Sequence, residues 1–221
     1  MTRVALVHTV GSLVPVFREL SAELLPGVDT TDVVDEALLG ETIAAGRIRD
    51  DTAKRLESHV RDAVEAGSDL VLVTCSSVGP AVEAIRERTG WPVLRVDEAM
   101  ADRALELGAR IGVVATLSTT LEPTADLIRR RGGNRGVEVA THLCEGAFDA
   151  LKAGDVEGHD AAVRAGILAL VPRVDVIVLA QASMARVAAA LRDETADTPI
   201  LASPRLGMER VAELVGAAAG P

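Results

Sequence analysis

Cys75 is the residue best placed to do chemistry. It lies between the apolar run Leu70–Thr74 and a helical pattern that begins near Gly79, and Ser76 and Ser77 follow it directly. This spacing sets a thiol at the end of a strand and the start of a helix. Free backbone N–H groups and the helix dipole favour an anion there, so the thiol is expected to have a lowered pKa and a larger thiolate fraction. Ser77 reads as the N-cap of the helix. Thr74, Cys75, Ser76 and Ser77 thus offer a thiol, hydroxyls and backbone donors in one turn, a set suited to binding a carboxylate with an acid/base beside it. The plainer reading is a small buried thiol with serines that only cap.

The same passage occurs twice. Residues 68–94 read SDLVLVTCSSVGPAVEAIRERTGWPVL, and residues 174–201 read VDVIVLAQASMARVAAALRDETADTPIL. Asp69 matches Asp175, Ser77 matches Ser183, Arg86 matches Arg192, and one extra residue lets Pro92 meet Pro199. Upstream, RVALVHTVGS from Arg3 matches RIGVVATLST from Arg110. Two half-size copies imply two similar lobes related by a pseudo-twofold axis, with equivalent loops facing each other and the active site in the interlobe cleft. The copies differ at one key place: Gln181 stands where the first copy has Cys75. A glutamine donates and accepts hydrogen bonds but is no base, so Gln181 is expected to contact ligand or thiol. Ser183 is the second copy's N-cap candidate.

Other strand ends are also polar. His8 and Thr9 end the first strand, and Thr116, Ser118, Thr119 and Thr120 follow its repeat equivalent. Their hydroxyls would suit an oxyanion or carboxylate cradle, although each alone is a common helix-start signal. His8 is the one histidine at a strand end of this edge, either a second acid/base or a hydrogen-bonded structural residue. Asp97 and Glu98 either orient a catalytic group or begin the next helix. His59 reads as part of a solvated helix face. His142 and Cys144 lack a second ligand pair, so no zinc site is expected and Cys144 reads as core. The only lysines, Lys54 and Lys152, follow no strand, which disfavours a pyridoxal Schiff base. No GxGxxG follows the first strand and no GxxxxGK[ST] occurs, so no cofactor is expected.

These groups must be positioned by a regular framework. Short apolar runs at Val4–His8, Leu70–Thr74, Val93–Val96, Ile111–Ala115, Val137–His142, Val176–Ala180 and Ile200–Leu201 read as strands, with a weaker one at Thr30–Val34. Helical spacing covers Asp51–Ala66, Gly79–Arg88, Met184–Arg192 and Ser203–Ala219. This βαβα rhythm implies an α/β fold of parallel sheets flanked by helices, with each lobe's strand-end loops on one edge. Lobe 1 is expected over residues 1–96, completed by the C-terminal helix at 203–221, and lobe 2 over 97–202. The chain is 48% apolar with a net charge of −10, and its aromatics are Phe17, Trp91 and Phe148. Such a chain has a real core, no base-stacking platform and the wrong charge for nucleic acid. No apolar run approaches the roughly 20 residues that span a bilayer. The N-terminus shows no leader pattern, so a cytoplasmic protein with two free thiols is expected.

The duplication, with VLVTCSS at Val71–Ser77, VDEAM at Val96–Met100, GVVATLSTT at Gly112–Thr120 and DVIVLAQASM at Asp175–Met184, resembles the aspartate/glutamate (hydantoin) racemase superfamily over essentially the whole chain. The resemblance implies cofactor-independent chemistry at a carbon next to a carboxylate, and a homo-oligomer. Racemases of this kind use two facing thiols. Cys75 matches one, while Gln181 replaces the other, so the chain resembles a divergent member. The implied enzyme is a racemase, isomerase or decarboxylase of a small carboxylate or hydantoin-like compound. Cys75 is its acid/base or nucleophile, His8 a second proton source, and Thr9, Ser76, Ser77, Thr116, Ser118, Thr119, Gln181 and Ser183 bind substrate. The alternative is a non-catalytic small-carboxylate-binding protein on the same fold. A redox-sensing thiol protein is a third reading, without a resolving cysteine.

Overall fold

A computed structural model describes residues 2–191, 194, 195 and 198–218. Arg192 of the repeat and Ala219 of the C-terminal pattern lie outside the described residues. The chain forms two compact units. One takes the chain up to Val96 and again from Pro204, and the other takes Asp97–Ser203.

The first unit holds a parallel sheet of β1 (Arg3–His8), β2 (Asp29–Val34), β3 (Leu70–Val73) and β4 (Val93–Arg95), in the order β2-β1-β3-β4. Its helices are α1 (Val14–Leu24), α2 (Ala37–Ala45), α3 (Asp50–Glu65) and α4 (Gly79–Thr89). The second unit holds α5 (Glu98–Leu107), β5 (Arg110–Ala115), α6 (Ser118–Gly132), β6 (Glu138–Leu143), α7 (Ala147–Lys152), α8 (Val156–Leu170), β7 (Val176–Leu179), α9 (Ala185–Ala190) and β8 (Ile200–Ala202). Its strand order, β6-β5-β7-β8, repeats that of the first unit. The last helix, α10 (Ser203–Ala218), returns to the first unit.

Continuous apolar strands follow from burial on both faces. Ala5, Val7, Val71 and Val73 pack with Leu56 and Val60 of α3 and Val82 and Ile85 of α4. On the other face Val4, Leu6, Leu70 and Leu72 pack with Phe17 and Leu20 of α1 and Met208, Val211 and Val215 of α10. In the second unit Val114, Ile177 and Leu179 pack with Val163, Ile167 and Leu170 of α8. β2 is an edge strand, so its sequence DTTDVV is only partly buried. The duplication also shows in contacts: the Arg3 N–H donates to Asp69 at 2.8 Å, and the Arg110 N–H donates to Asp175 at 2.8 Å. Among the described residues no helix is long and apolar enough to cross a membrane.

In each sheet the strand order reverses between the two central strands. Parallel α/β sheets bind ligands at the carboxyl ends of strands flanking such a switch point. Val7 pairs in register with Val73, and Val114 with Leu179. His8–Thr9 therefore lies beside Thr74–Cys75, and Ala115–Thr116 beside Ala180–Gln181.

Candidate functional site

Beyond β3 the chain makes a 3-10 turn, Ser76–Val78, before entering α4. Cys75 occupies the N-cap position of that turn with an extended backbone, φ −129° and ψ 116°. Gln181 occupies the equivalent position before the turn Ala182–Met184, with φ −130° and ψ 137°. The two backbones match while the side chains differ. Ser77 and Ser183 are therefore not helix N-caps as their spacing suggests. Each sits inside a short turn that the pattern of apolar residues does not reveal, and the N-cap positions of α4 and α9 fall one residue later, at Val78 and Met184.

Cys75 is half-buried, and Thr9, Ser76 and Ser77 around it are buried. Desolvation pushes its thiol pKa up. The Thr9 hydroxyl, the N–H groups of Ser77 and Val78 and the Ser77 hydroxyl oppose this, each favouring the thiolate, but burial prevails. The expectation of a lowered pKa is thus corrected. The four opposing groups are neutral dipoles, and no full positive charge joins them. The resting residue is a thiol in a cradle ready to hold a thiolate.

His8 is fully buried at the end of β1. Its Nε2 lies 3.0 Å from Asp32, which also accepts from Arg18 at 2.7 Å, and its Nδ1 lies 3.0 Å from the Thr74 hydroxyl. Burial holds its pKa below the usual histidine value against the upward pull of Asp32. A neutral ring facing a carboxylate carries its proton on Nε2, so Nδ1 accepts from Thr74. Both ring nitrogens are engaged within the first unit.

In the second unit Gln181 is half-buried. Its Oε1 accepts from the Thr116 N–H at 2.6 Å and the Thr116 hydroxyl at 3.0 Å. Thr9 and Thr116 are repeat equivalents, so in each unit the threonine after the first strand acts on the residue after the third. Thr119 is buried, and its hydroxyl has no hydrogen-bond partner among the described residues. Ser118 is exposed at the start of α6, and Ser183 is half-buried.

Asp97 and Glu98 are buried at the start of α5, and Glu98 lies 3.7 Å from Arg131. Cys144 is buried in the core, where desolvation pushes its pKa up to about 11. His59 departs from its expected solvated role: it is partly buried, with Nε2 2.8 Å from Asp35. Among the described residues no three His, Cys, Asp or Glu side chains are grouped to hold a metal.

The sequence reading missed Arg95. Its side chain is fully buried at the end of β4 and pairs with Glu83 of α4 at 3.1 Å. A Cβ on Gly79, the first residue of α4, would overlap its guanidinium. The only signal was a charged residue inside the apolar run VLRV, preceded by a helix that starts on a glycine with no side chain to clash.

A profile of the Asp/Glu/Hydantoin racemase family matches residues 9–211. The chain belongs to this family. It is an enzyme of the racemase/isomerase group. Family structures share its fold. Allantoin racemase from Klebsiella pneumoniae superposes with a TM-score of 0.74 at 20% identity, covering 99% of this chain and 89% of the other. Glutamate racemase from Francisella tularensis, solved with D-glutamate, gives 0.74 at 15% identity, with 99% and 82% covered. Arylmalonate decarboxylase gives 0.64 at 16% identity, with 97% and 92% covered. Two four-stranded parallel sheets flanked by helices are common ground between this racemase-family chain and those structures.

Proposed function

We propose that this enzyme performs cofactor-independent enolate chemistry on a small carboxylate or hydantoin-like compound, with Cys75 as its single acid/base. The observation that carries this reading is the placement of Cys75: a family enzyme holds one thiol at its sheet's switch point, ringed by Thr9, Ser77 and Val78 donors. Substrate contact by the turn at Cys75 and by the turn at Gln181 is part of the proposal.

The chemistry follows from the protonation state. A neutral thiol is ready to give a proton. The S–H bond breaks as a C–H bond forms at the enolate carbon, and the charge left on sulfur falls to the surrounding hydroxyl and N–H donors. In the reverse direction the thiolate takes the α-proton and the electron pair moves into the enolate. One positioned acid/base contributes about 10²–10⁴ in rate. The enolate's oxygen charge is met by donors preset for it, and Thr9, Ser76, Ser77, Ser118, Thr119 and Ser183 are the candidates. Gln181 orients the substrate. With both nitrogens engaged, His8 serves as a positioning residue that holds Thr74 beside Cys75. We further propose a cytoplasmic homo-oligomer, which light scattering on the purified chain tests.

The deciding experiment incubates the chain with a panel of small carboxylates, malonates and hydantoins in deuterated water. Deuterium entry at the carbon next to the carbonyl, lost in Cys75→Ala with the fold retained, is the expected result. Full activity in Cys75→Ala ends the proposal. Binding with no exchange, decarboxylation or isomerisation identifies a binding protein instead.

A further inference from the structure

Gln181 does not offer both ends of its amide. The Thr116 backbone N–H can only donate, so the atom 2.6 Å away must be an acceptor, which identifies it as the carbonyl oxygen. The Thr116 hydroxyl adds a second bond to the same oxygen at 3.0 Å. Turning the amide over would set an NH₂ group against the backbone N–H 2.6 Å away and lose that bond; the hydroxyl, able to donate or accept, does not decide between the two orientations. The nitrogen end is left without a protein partner among the described residues.

From this geometry we infer that Gln181 is a fixed hydrogen-bond donor to an anionic oxygen of the substrate, a carboxylate or enolate oxygen, and never an acceptor for a substrate N–H. The inference rests on the reading above that Gln181 meets the substrate. It narrows that reading: the substrate presents an oxygen anion to this residue, and any amide or ureide N–H it carries points elsewhere. Thr116 acts through Gln181 as a positioning residue, in the way Thr9 acts on Cys75.

Two measurements on the full chain test it. In the first, the Gln181 side-chain NH₂ signal of ¹⁵N-labelled protein, assigned by its loss in Gln181→Met, is followed during titration with malonate and with malonamide. A shift with malonate and none with malonamide is expected. A shift with neither, or an equal shift with both, overturns the inference. This readout needs no turnover, so a malonate shift without any deuterium exchange would sink the catalytic reading and leave the donor role standing. The second uses a substrate identified by exchange. Gln181→Glu keeps an oxygen for Thr116 but aims a carboxylate oxygen outward, and it should raise KM by about 10-fold or more, as loss of a hydrogen bond to a charged group does. Thr116→Val should raise KM in the natural chain and have no effect in a Gln181→Met background. A Gln181→Glu enzyme with KM within about twofold of the natural one, or an equal Thr116→Val effect in both backgrounds, overturns it.

Discussion

The thiol of Cys75 is governed by opposing effects that a mutation can separate. Burial raises its pKa and the Thr9 hydroxyl lowers it. Cys144 is buried and pushed up to about 11, so iodoacetamide alkylation reports on Cys75. We expect the alkylation rate to rise with pH to a midpoint above the ordinary thiol value of about 8.5. Thr9→Val should move that midpoint higher still, because a group favouring the thiolate is gone. A midpoint below the ordinary value, or one that Thr9→Val lowers, contradicts the site as described. His8 gives a second pH test. Its folded pKa lies below its unfolded value of about 6.5. Unfolding therefore takes up a proton as pH falls from about 6.5 through the folded value, and stability drops across that window. Urea unfolding at pH 7 and pH 5 should show a larger loss in the natural chain than in His8→Gln. Neither direction was legible in the sequence. Position at a strand end and helix start is written in the order of residues, but the depth of burial that decides the sign is a property of the packed fold.

At the scale of elements, the start of α4 is fixed by a contact that tolerates no side chain. Gly79 lies against the Arg95 guanidinium, which is fully buried and paired with Glu83. A flexible arginine could swing away from an added methyl in solvent, but here its surroundings are packed. Gly79→Ala should therefore destabilise the protein by about 1–3 kcal/mol, in the range of overpacked cores, and reduce turnover by shifting the Cys75 turn. Combining it with Arg95→Met should recover part of that loss relative to the sum of the single changes, as measured by urea unfolding. Additive effects would show that the two groups do not press on each other. The elements themselves were largely readable. β3 and β7 are four-residue apolar runs because both faces of the sheet are covered, and β2 was the faint one because an edge strand keeps Asp29, Thr30 and Thr31 near solvent. The 3-10 turns were not readable, since three residues carry no helical period. That is why Ser77 and Ser183 looked like caps. Arg95 was overlooked for a related reason: an arginine in a short strand reads as a solvent-facing alternate, and only the fold shows it paired inside.

Over the whole molecule, the chain leaves the first unit at Val96 and comes back to it only at Pro204. One face of the first sheet is covered in part by α10, through Met208, Val211 and Val215 against Leu6, Leu72 and Val96. The candidate site residues Thr9 and Cys75 thus rest on a sheet whose packing is completed by α10. The internal repeat gives each unit its own four strands and sets α10 after β8 as it sets α5 after β4, each helix belonging to the other unit than the strand it follows, so the reliance of the first unit on α10 is a consequence of how the duplicated chain is threaded. Trp91 is the only tryptophan and packs against the first unit's core, so its fluorescence follows that unit alone. Met208 is fully buried. Met208→Ala removes about three heavy atoms from a packed site and should cost about 2–5 kcal/mol, as core methionine truncations do. The Trp91 transition in urea should move to lower concentration accordingly, and Cys75 alkylation at a urea concentration just below the natural midpoint should accelerate with it. A Trp91 transition that stays in place would mean that α10 adds nothing to the sheet beneath the thiol, and that the first unit is complete at Val96.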